Sequence, residues 1–341
     1  MTTSSDLKAR FRAQAQGAMV LHVGFIGVVN RLFETLSTLG AADSAALAAA
    51  AGKDEAYVRR WCDAAYATGY LDAEGGQFRL TATGEAMRPE APESLMPLAV
   101  QAMISAHMAE RAAGLMPSGA RPGEQVLAER ETILPWFGPM LEASYAPVFE
   151  TTISPAVPIF AEIDGLGGLA VDLGCGNGWY LRALARRYPH LRGLGIDGFA
   201  ENVAQARARA AAEGLAGRLS FEVGDAHALA LAEPAALIAM NRALHHVWEG
   251  GIAPFLDRLR GQLKPGGAAV IWEPNWPDER AMLRQPGWAR MAFQNLTEHV
   301  QGNHLLGAEE IAAAFLAAGF RETKIHLFAE GQEAVIVARA P

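Results

Sequence analysis

The chain has 341 residues, of which 51% are hydrophobic, and its formal net charge at neutral pH is −8. This length allows two domains with a large core, and the negative charge argues against a general affinity for nucleic acid or anionic lipid. Apolar runs are short and interrupted, so no membrane span is predicted, and the first residues lack the features of a signal peptide. The two cysteines, Cys62 and Cys175, are too few for a disulfide framework and lack metal-ligand spacing. We therefore expect a reduced, cytoplasmic protein.

Residues 1–90 predict a series of helices followed by a small hairpin. Apolar residues recur at helical spacing from Phe11 to Leu36, and two shorter helices and a hairpin at 74–80 follow. Helix, turn, helix and hairpin together resemble a winged-helix module. Nine basic and ten acidic residues in this segment leave no positive surface for DNA, although DNA binding is the function best known for such a module. A structural or dimerisation role is the favoured interpretation.

Residues 91–160 are rich in methionine, proline and aromatic side chains, with helical stretches near 94–115, 124–133 and 138–152. Ordinary packing of helices between two domains accounts for most of these residues. The same composition also suits the wall of an apolar ligand pocket at a domain interface. The sequence does not separate pocket residues from core residues here.

The segment that follows contains a glycine-rich turn between a strand and a helix. The apolar strand 169–173 ends at Gly174-Cys175-Gly176-Asn177-Gly178, and a helical pattern begins directly afterwards. Glycines allow backbone N–H groups to approach a ligand closely. A dinucleotide fingerprint would need glycine at 179, which is Trp179. The pattern D-x-G-x-G-x-G instead resembles the first motif of class I S-adenosylmethionine (SAM) dependent methyltransferases, although other doubly wound proteins also have glycine turns.

Two further strands end in residues that suit other parts of SAM. Strand 191–197 ends at Asp197, whose carboxylate offers acceptors for ribose hydroxyls, although an aspartate here can also cap the next helix. Gly224-Asp225-Ala226 ends strand 219–223 and resembles the adenine-binding motif of the same family. The resemblance implies a cofactor-binding set of Asp172, Gly174, Cys175, Gly176, Asp197, Gly198, Phe199, Gly224, Asp225, Ala226 and Asn241.

Candidate catalytic residues follow the fourth and fifth strands. Strand 236–240 leads into Leu244-His245-His246-Val247-Trp248, and Lys264-Pro265-Gly266-Gly267, another element similar to the methyltransferase pattern, precedes strand 268–273. In small-molecule O-methyltransferases a base histidine lies in a Leu-His-Asp-Trp-like motif, and an acid after the fifth strand orients it. This resemblance implies His245 as general base and Glu273 as its partner, with His246 in place of the family's aspartate. Because the tryptophan is displaced by one residue, a substrate-contact or structural role for His245 remains the alternative.

No metal is expected from the sequence. Adjacent residues on a helix or strand point in different directions, so His245 and His246 are not predicted to converge on one ion. The long insert 276–307 is predicted to cap the acceptor site, and its His299 and His304 suit surface positions as well as ligand positions.

The sequence thus predicts an α/β protein with three parts. These are a winged-helix-like dimerisation domain at 1–90, a helical linker and pocket wall at 91–160, and a Rossmann-like, doubly wound, seven-stranded SAM-binding domain at 161–341. The expected reaction is methyl transfer from SAM to a small-molecule acceptor, most simply at oxygen, with sulfur or nitrogen as alternatives. We expect a homodimer with no nucleic-acid or membrane partner. The other interpretations are a SAM-binding transcriptional regulator and a SAM enzyme with non-methylating chemistry.

Overall fold

The structure is a computed structural model that describes residues 3–285 and 287–341. The chain forms two compact units. The first contains the residues up to Glu110 together with Leu127–Ser144, and the second contains Arg111–Val126 together with Tyr145–Pro341. The segment 91–160, expected to be a separate linker, is therefore divided between the two units.

The first unit is helical with one two-stranded hairpin. Helix α1 begins with a capping box, in which the Thr3 hydroxyl accepts the N–H of Asp6 and the Asp6 carboxylate accepts the N–H of Thr3. Among the described residues no single helix is long and apolar enough to cross a membrane, and α1 and α2 meet those criteria only as a pair bent by 70°. The elements are α1 (Ser4–Val29), α2 (Leu32–Leu39), α3 (Ser44–Ala51), α4 (Glu55–Ala67), β1 (Leu71–Glu74), β2 (Gln77–Leu80) and α5 (Ala82–Ala86), with α6 (Met96–Leu115) and α7 (Leu134–Val148), whose last residues are assigned to the second unit.

Aromatic side chains hold the helices of the first unit against the hairpin. The Phe33 ring meets the rings of Trp61 and Tyr70 edge-on, with centroids 5.3 and 5.5 Å apart. The polar ends of both partners are satisfied by α1, because Trp61 Nε1 donates to the carbonyl of Val23 and the Tyr70 hydroxyl donates to that of Val20. The hairpin and helices confirm the predicted winged-helix arrangement.

In the second unit, strands and helices alternate after two short helices. Helices separate most of the consecutive strands, the pattern that produces parallel pairing with helices on both faces. The elements are α8 (Ser154–Ala156), α9 (Ile159–Leu166), β3 (Gly168–Leu173), α10 (Trp179–Arg187), β4 (Leu191–Asp197), α11 (Ala200–Ala212), β5 (Leu219–Val223), β6 (Ala235–Asn241), α12 (Leu244–Trp248), α13 (Ile252–Gly261), β7 (Leu263–Pro274), α14 (Trp288–Glu298), α15 (Ala308–Ala317), β8 (Glu322–Phe328) and β9 (Glu333–Arg339).

The seven strands form one sheet in the order β5-β4-β3-β6-β7-β9-β8. Strand β9 runs antiparallel to both of its neighbours, β7 and β8, and the other neighbouring pairs of this sheet are parallel. Strand β7 starts five residues earlier than the predicted 268–273, because Leu263 already pairs with Ala235 before a register shift. The predicted Rossmann-like, seven-stranded α/β fold is confirmed.

Both faces of the sheet are buried. Along β6, Leu237 and Ala239 pack into one apolar cluster, whereas Ile238 and Met240 pack into another. Successive side chains of a strand point to opposite faces, so the two clusters lie on opposite sides of the sheet. The continuous apolar runs that predicted these strands are therefore the signature of two-sided burial.

Candidate active site

The predicted site residues gather at the carboxyl ends of the parallel strands. Strand β3 pairs with β4 on one side and with β6 on the other, so the order of the strands reverses at β3. In open α/β sheets, ligands bind at the carboxyl edge beside such a reversal. The glycine loop follows β3 at this position, and the His245 segment follows β6.

The glycine loop is held against the end of β4 by a network around Asp197. Oδ2 of Asp197 accepts the N–H of Gly176 at 2.8 Å, and Oδ1 accepts the N–H of Phe199 at 2.9 Å. Oδ1 also accepts the side-chain amide of Asn202 at 3.0 Å. Asp197 is buried, and the N-cap of α11 is Phe199, so Asp197 does not cap that helix. These three donors occupy three of roughly four acceptor positions on the carboxylate. The Asn202 amide belongs to a side chain, so a ligand hydroxyl could replace it as a donor.

A second carboxylate lies beneath the loop. Asp172, near the end of β3, is fully buried, and its Oδ1 accepts the side-chain amide of Asn241 at 3.2 Å. Burial raises the pKa of Asp172 well above its usual range, an effect that the Asn241 hydrogen bond opposes and the negative charge of Asp197 reinforces. A buried carboxyl of this kind favours a cationic neighbour.

The remaining members of the predicted cofactor set have different surroundings. Cys175 is buried, and burial raises the pKa of its thiol well above the usual range, so it is an inert core residue. Gly224 follows β5 and donates its N–H to the carbonyl of Asp197. The exposed Asp225 accepts the N–H of His227 and so caps the short 3-10 turn that begins at Ala226. Gly198 is exposed, and Phe199 is half-buried.

These residues fit the charged, hydroxylated cofactor that the sequence predicts. A Cβ atom built on Gly176 meets no atom within 4 Å, so the loop leaves space for a ligand beside its backbone. Asp197 offers an acceptor for ribose, and Asp172 is a buried carboxyl near the loop whose ionised form a nearby cation would favour. SAM carries a ribose, a sulfonium and an amino group, and Gly174, Gly176, Asp172 and Asp197 are the residues that would hold them.

Gly176 and Gly178 differ in how much space a side chain would find at each position, so substitutions there should destabilise the protein to different extents. Gly178 has a φ of +74°, and a Cβ there would lie 2.7 Å from the ring of Phe221 and 2.9 Å from Cβ of Ala206. We expect Gly178→Ala to lower the free energy of unfolding by about 3 kcal/mol through overpacking and strain. Gly176→Ala, with a φ of +53° and open space, is expected to cost about 1 kcal/mol. Urea unfolding of both variants measures the difference, and equal losses would contradict it.

His245 and Glu273 form a buried pair at the ends of β6 and β7. Nδ1 of His245 lies 2.8 Å from Oε2 of Glu273, and Oε1 of Glu273 accepts the N–H of Leu244 at 2.7 Å. Burial by itself lowers the pKa of His245, but the charge of Glu273 and the hydrogen bond between them outweigh it and raise that pKa to about 9. Burial by itself raises the pKa of Glu273. The charge of His245 and its hydrogen bond outweigh burial, so the pKa of Glu273 lies below its usual value.

The pair lies next to the glycine loop. A Cβ atom on Gly174 would approach Cβ of Ala243 to 2.9 Å, and Ala243 is two residues before His245. Asn241, which bonds Asp172 below the loop, ends the strand that leads to His245. The predicted cofactor loop and the predicted catalytic pair are therefore brought to one edge of one unit.

Three polar residues that the sequence did not indicate surround the histidines. Oε2 of Glu298 lies 3.8 Å from Nε2 of His245. Nδ1 of His246 lies 2.9 Å from Oε1 of Glu124 and 2.7 Å from the side-chain amide of Asn303. The rings of the two histidines converge, with centroids 4.2 Å apart, contrary to the expectation from regular helix geometry. Glu124, Glu298 and Asn303 belong to no recognisable sequence motif. Glu124 lies in an irregular segment, and Glu298 and Asn303 lie in the insert 276–307.

Arg242 is a further residue that the sequence analysis missed. It has a left-handed φ of +54°, and its guanidinium carbon lies 3.9 Å from the centroid of the Tyr145 ring. The same guanidinium forms a largely buried ion pair with Glu333, which also accepts the indole N–H of Trp272. Such strain persists only where surrounding contacts hold it, and here these contacts fix the turn between β6 and the histidines.

The other histidines of the predicted cap lie elsewhere. His304 is partly exposed, and its Nδ1 lies 2.8 Å from a carboxylate oxygen of Glu249. His299 begins a short 3-10 turn. Among the described residues of the insert 276–307, Glu298 lies near His245 and Asn303 contacts His246.

Comparison with known proteins agrees with this architecture. A methyltransferase domain family matches residues 170–267, and an Rv2258c-like winged HTH domain matches residues 17–83. A trans-aconitate 2-methyltransferase from Methylobacterium nodulans is 30% identical over 196 residues, which are 55% of this chain and 73% of that protein. An uncharacterized 37.1 kDa protein in transposon Tn4556 of Streptomyces fradiae is 34% identical over 185 residues, 52% of each chain. The chain spans about half the length of the first curated relatives it matches.

A solved structure matches nearly the whole chain. Human N-acetylserotonin methyltransferase, in complex with SAM, has a TM-score of 0.75 and 21% identity, with 100% of this chain and 99% of that chain covered. At this identity the likeness establishes the fold alone. Together, the fold, the glycine loop and the matched domain define a class I methyltransferase. The chain belongs to the SAM-dependent methyltransferase family and joins its catalytic domain to an N-terminal winged-helix domain.

Proposed function

We propose that this protein transfers a methyl group from SAM to an oxygen atom of a small-molecule acceptor, which binds beside His245. The observation that carries the proposal is the buried His245–Glu273 pair next to the glycine loop. A donor site and a proton-handling group at one edge are what O-methylation requires. The trans-aconitate and N-acetylserotonin methyltransferases named above support a small-molecule acceptor.

The residues support the following division of labour. SAM, when bound, supplies a methyl carbon attached to a sulfonium sulfur. Glu273 faces Nδ1 of His245, so it orients the ring with Nε2 directed away from that carboxylate. Nε2 takes the proton of the acceptor hydroxyl as the new O–C bond forms and the S–C bond breaks. The pKa of about 9 makes the imidazole a strong base once it is neutral.

The acceptor atom can be identified by an isotope experiment. The full-length protein is incubated with SAM bearing a trideuterated methyl group and separate pools of phenols, carboxylic acids, thiols and amines. With an oxygen acceptor, we expect a product heavier than the acceptor by about 17 Da, which is the mass of CD3 minus that of H. One equivalent of S-adenosylhomocysteine should form with it. Products from thiols or amines alone would contradict the assignment of oxygen. S-Adenosylhomocysteine release without any labelled product would contradict methyl transfer to these classes.

The first unit supports a proposal about assembly. Leu7, Phe11, Met19 and Ile26 of α1 are exposed apolar residues, and their spacing places them within about a third of the helix circumference. We propose that this strip joins two copies of the chain in a homodimer, because soluble proteins seldom leave such strips uncovered.

The dimer gives a direct prediction. Phe11→Glu places a charge in the proposed interface and is expected to weaken self-association at least tenfold, about 1.4 kcal/mol. Leu327→Glu is the control, since Leu327 is an exposed apolar residue on β8 of the second unit. Sedimentation velocity over a range of protein concentrations measures both. A monomeric wild type, or equal association of the two variants, would contradict the assigned strip.

A further inference from the structure

Two buried ion pairs lie side by side at the carboxyl ends of β6 and β7. One is the pair of His245 and Glu273 described above. The other joins Arg242 to Glu333, the first residue of β9, and the proposed proton transfer does not use it. The side chains of Arg242 and Glu333 are only 11% and 13% exposed. Removal of two charges from water is costly, so a second buried pair beside the first requires a physical reason.

The carboxylates of the two pairs lie on opposite faces of the sheet. Trp272 and Glu273 are consecutive residues of β7, so their side chains point to opposite faces. Glu333 accepts the indole N–H of Trp272 at 2.8 Å, which places it on the face of that tryptophan. One carboxylate therefore serves Arg242 on one face, and the other serves His245 on the opposite face.

Contacts on the face of Trp272 hold Arg242 in an unfavourable backbone conformation. The φ of Arg242 is +54°, and its backbone N–H donates to the carbonyl of Trp272 at 2.8 Å. Its guanidinium carbon lies 3.9 Å from the centroid of the Tyr145 ring and 5.9 Å from that of the Trp272 ring, and its charge is paired with Glu333. A left-handed arginine persists only where such contacts maintain it. These contacts therefore set the direction in which the chain leaves β6 towards His245.

The charge of Arg242 also acts on the catalytic pair. Burial and the positive charge of Arg242 lower the pKa of His245, whereas Glu273 and Glu298 raise it. The titratable and charged groups around this imidazole are Glu273 of β7, Glu298 of α14, Arg242 of the turn, the adjacent His246 and, beyond that ring, Glu124. Electrostatic interactions are strong away from water, so an Arg242 without its own carboxylate would act on Glu273 and His245 with its full charge.

We propose that Glu333 is a positioning residue for His245. It neutralises the Arg242 guanidinium and holds it, together with the turn, on the face opposite Glu273, so that the charge of Glu273 is left to His245. The inference rests on the proposed function, in which Nε2 of His245 takes the acceptor proton while Glu273 faces Nδ1. Glu333 acts through Arg242 and takes no proton itself.

Titration of His245 in the full-length protein tests this role. Histidine is labelled with ¹³C at Cε1, and the NMR signal that disappears in His245→Asn is assigned to His245 and followed from about pH 6 to 10. In Glu333→Gln we expect the pKa of His245 to fall below its value of about 9, because Arg242 is no longer neutralised. The expected fall is about one pH unit, a tenfold loss of proton affinity. In the same variant, kcat/KM should level off at a pH lower by the same amount.

Two further variants separate this charge effect from a structural one. Glu322→Gln is the matched control, since it makes the same change on β8, where Glu322 lies 3.7 Å from Arg321 at the surface. It should leave the pKa of His245 unchanged. The double variant Arg242→Gln, Glu333→Gln removes both charges, so His245 should titrate at the wild-type pKa or above it. The double variant decides the matter if Glu333→Gln, with its uncompensated arginine, does not fold, which circular dichroism detects.

Three results would overturn the inference: an unchanged pKa of His245 in Glu333→Gln, an equal fall in Glu322→Gln, or a fall that persists in the double variant. The titration needs no turnover, so its outcome is independent of the isotope experiment. A fall in Glu333→Gln without any methylated product would support the role of Glu333 and contradict O-methylation. Methylated oxygen with an unchanged pKa in Glu333→Gln would support O-methylation and contradict the role of Glu333.

Discussion

Replacement of His245 by asparagine is expected to lower the turnover of the acceptor at least a hundredfold while leaving the affinity for SAM unchanged. Asparagine can still donate a hydrogen bond to Glu273 from the position of Nδ1, but it has no counterpart of Nε2, the atom that handles the acceptor proton. Loss of a positioned acid or base typically costs 10² to 10⁴ in rate. Steady-state kinetics on the acceptor found by the isotope experiment, and calorimetry with S-adenosylhomocysteine, measure the two quantities.

His304→Asn is the matched control, because it makes the same chemical change at a surface histidine paired with Glu249. It should retain turnover within about twofold, as expected for a surface substitution of this size. Full turnover in His245→Asn would remove His245 from the reaction and would favour an acceptor, such as a thioether, that loses no proton.

The pH dependence of turnover tests the base role of His245. An imidazole with a pKa of about 9 is mostly protonated at neutral pH and can accept a proton only in its neutral form. For the base role, kcat/KM is therefore expected to rise about tenfold per pH unit up to that value and then to level off. A flat profile between pH 6 and 9 would contradict proton transfer to the imidazole.

Replacement of Asp197 by alanine is expected to weaken the binding of S-adenosylhomocysteine more than tenfold, roughly 1.4 kcal/mol or more. Two effects act together. The variant loses the buried carboxylate proposed to accept from the ribose, and it frees the N–H of Gly176, which that carboxylate holds at 2.8 Å. Calorimetry with the full-length protein measures the loss.

Two further variants separate these effects from a general loss of negative charge. Asp197→Asn keeps the size of the side chain but places an amide N–H₂ opposite a backbone N–H, so we expect it also to bind weakly. Glu201→Gln removes a charge from the exposed first turn of α11 and should bind as the wild type does. Wild-type affinity in Asp197→Ala would refute the assignment of this carboxylate to the ribose.

Local sequence patterns were sufficient to predict most of the strands and helices of the second unit. The strand that ends at Leu173 and the turn at Gly174–Gly178 were predictable because both faces of the sheet are buried and the glycines require positive φ. The edge on which Asp197 and His245 meet was also predictable, since parallel strands place their carboxyl ends together. The roles of the individual residues stay predictions that the variants above test.

Residues drawn in from irregular segments could not be predicted in the same way. Glu124 lies far from His246 in sequence, and Glu298 ends a helix within an insert that carries no family motif. Their approach to the histidines depends on packing of the whole unit, which no local spacing records. The division of residues 91–160 between the two units is a property of the same kind.

The sequence by itself determined the order of the strands and helices, the glycine loop, the carboxylates at the strand ends and hence the methyltransferase family. These features depend on backbone conformation and on the periodicity of burial, both of which are written locally in the chain. Only the tertiary structure decided that His245 and His246 converge and that Glu298 joins them. The physical reason is that α12 is a five-residue helix following the left-handed turn at Arg242, so the regular geometry of a longer helix does not apply there.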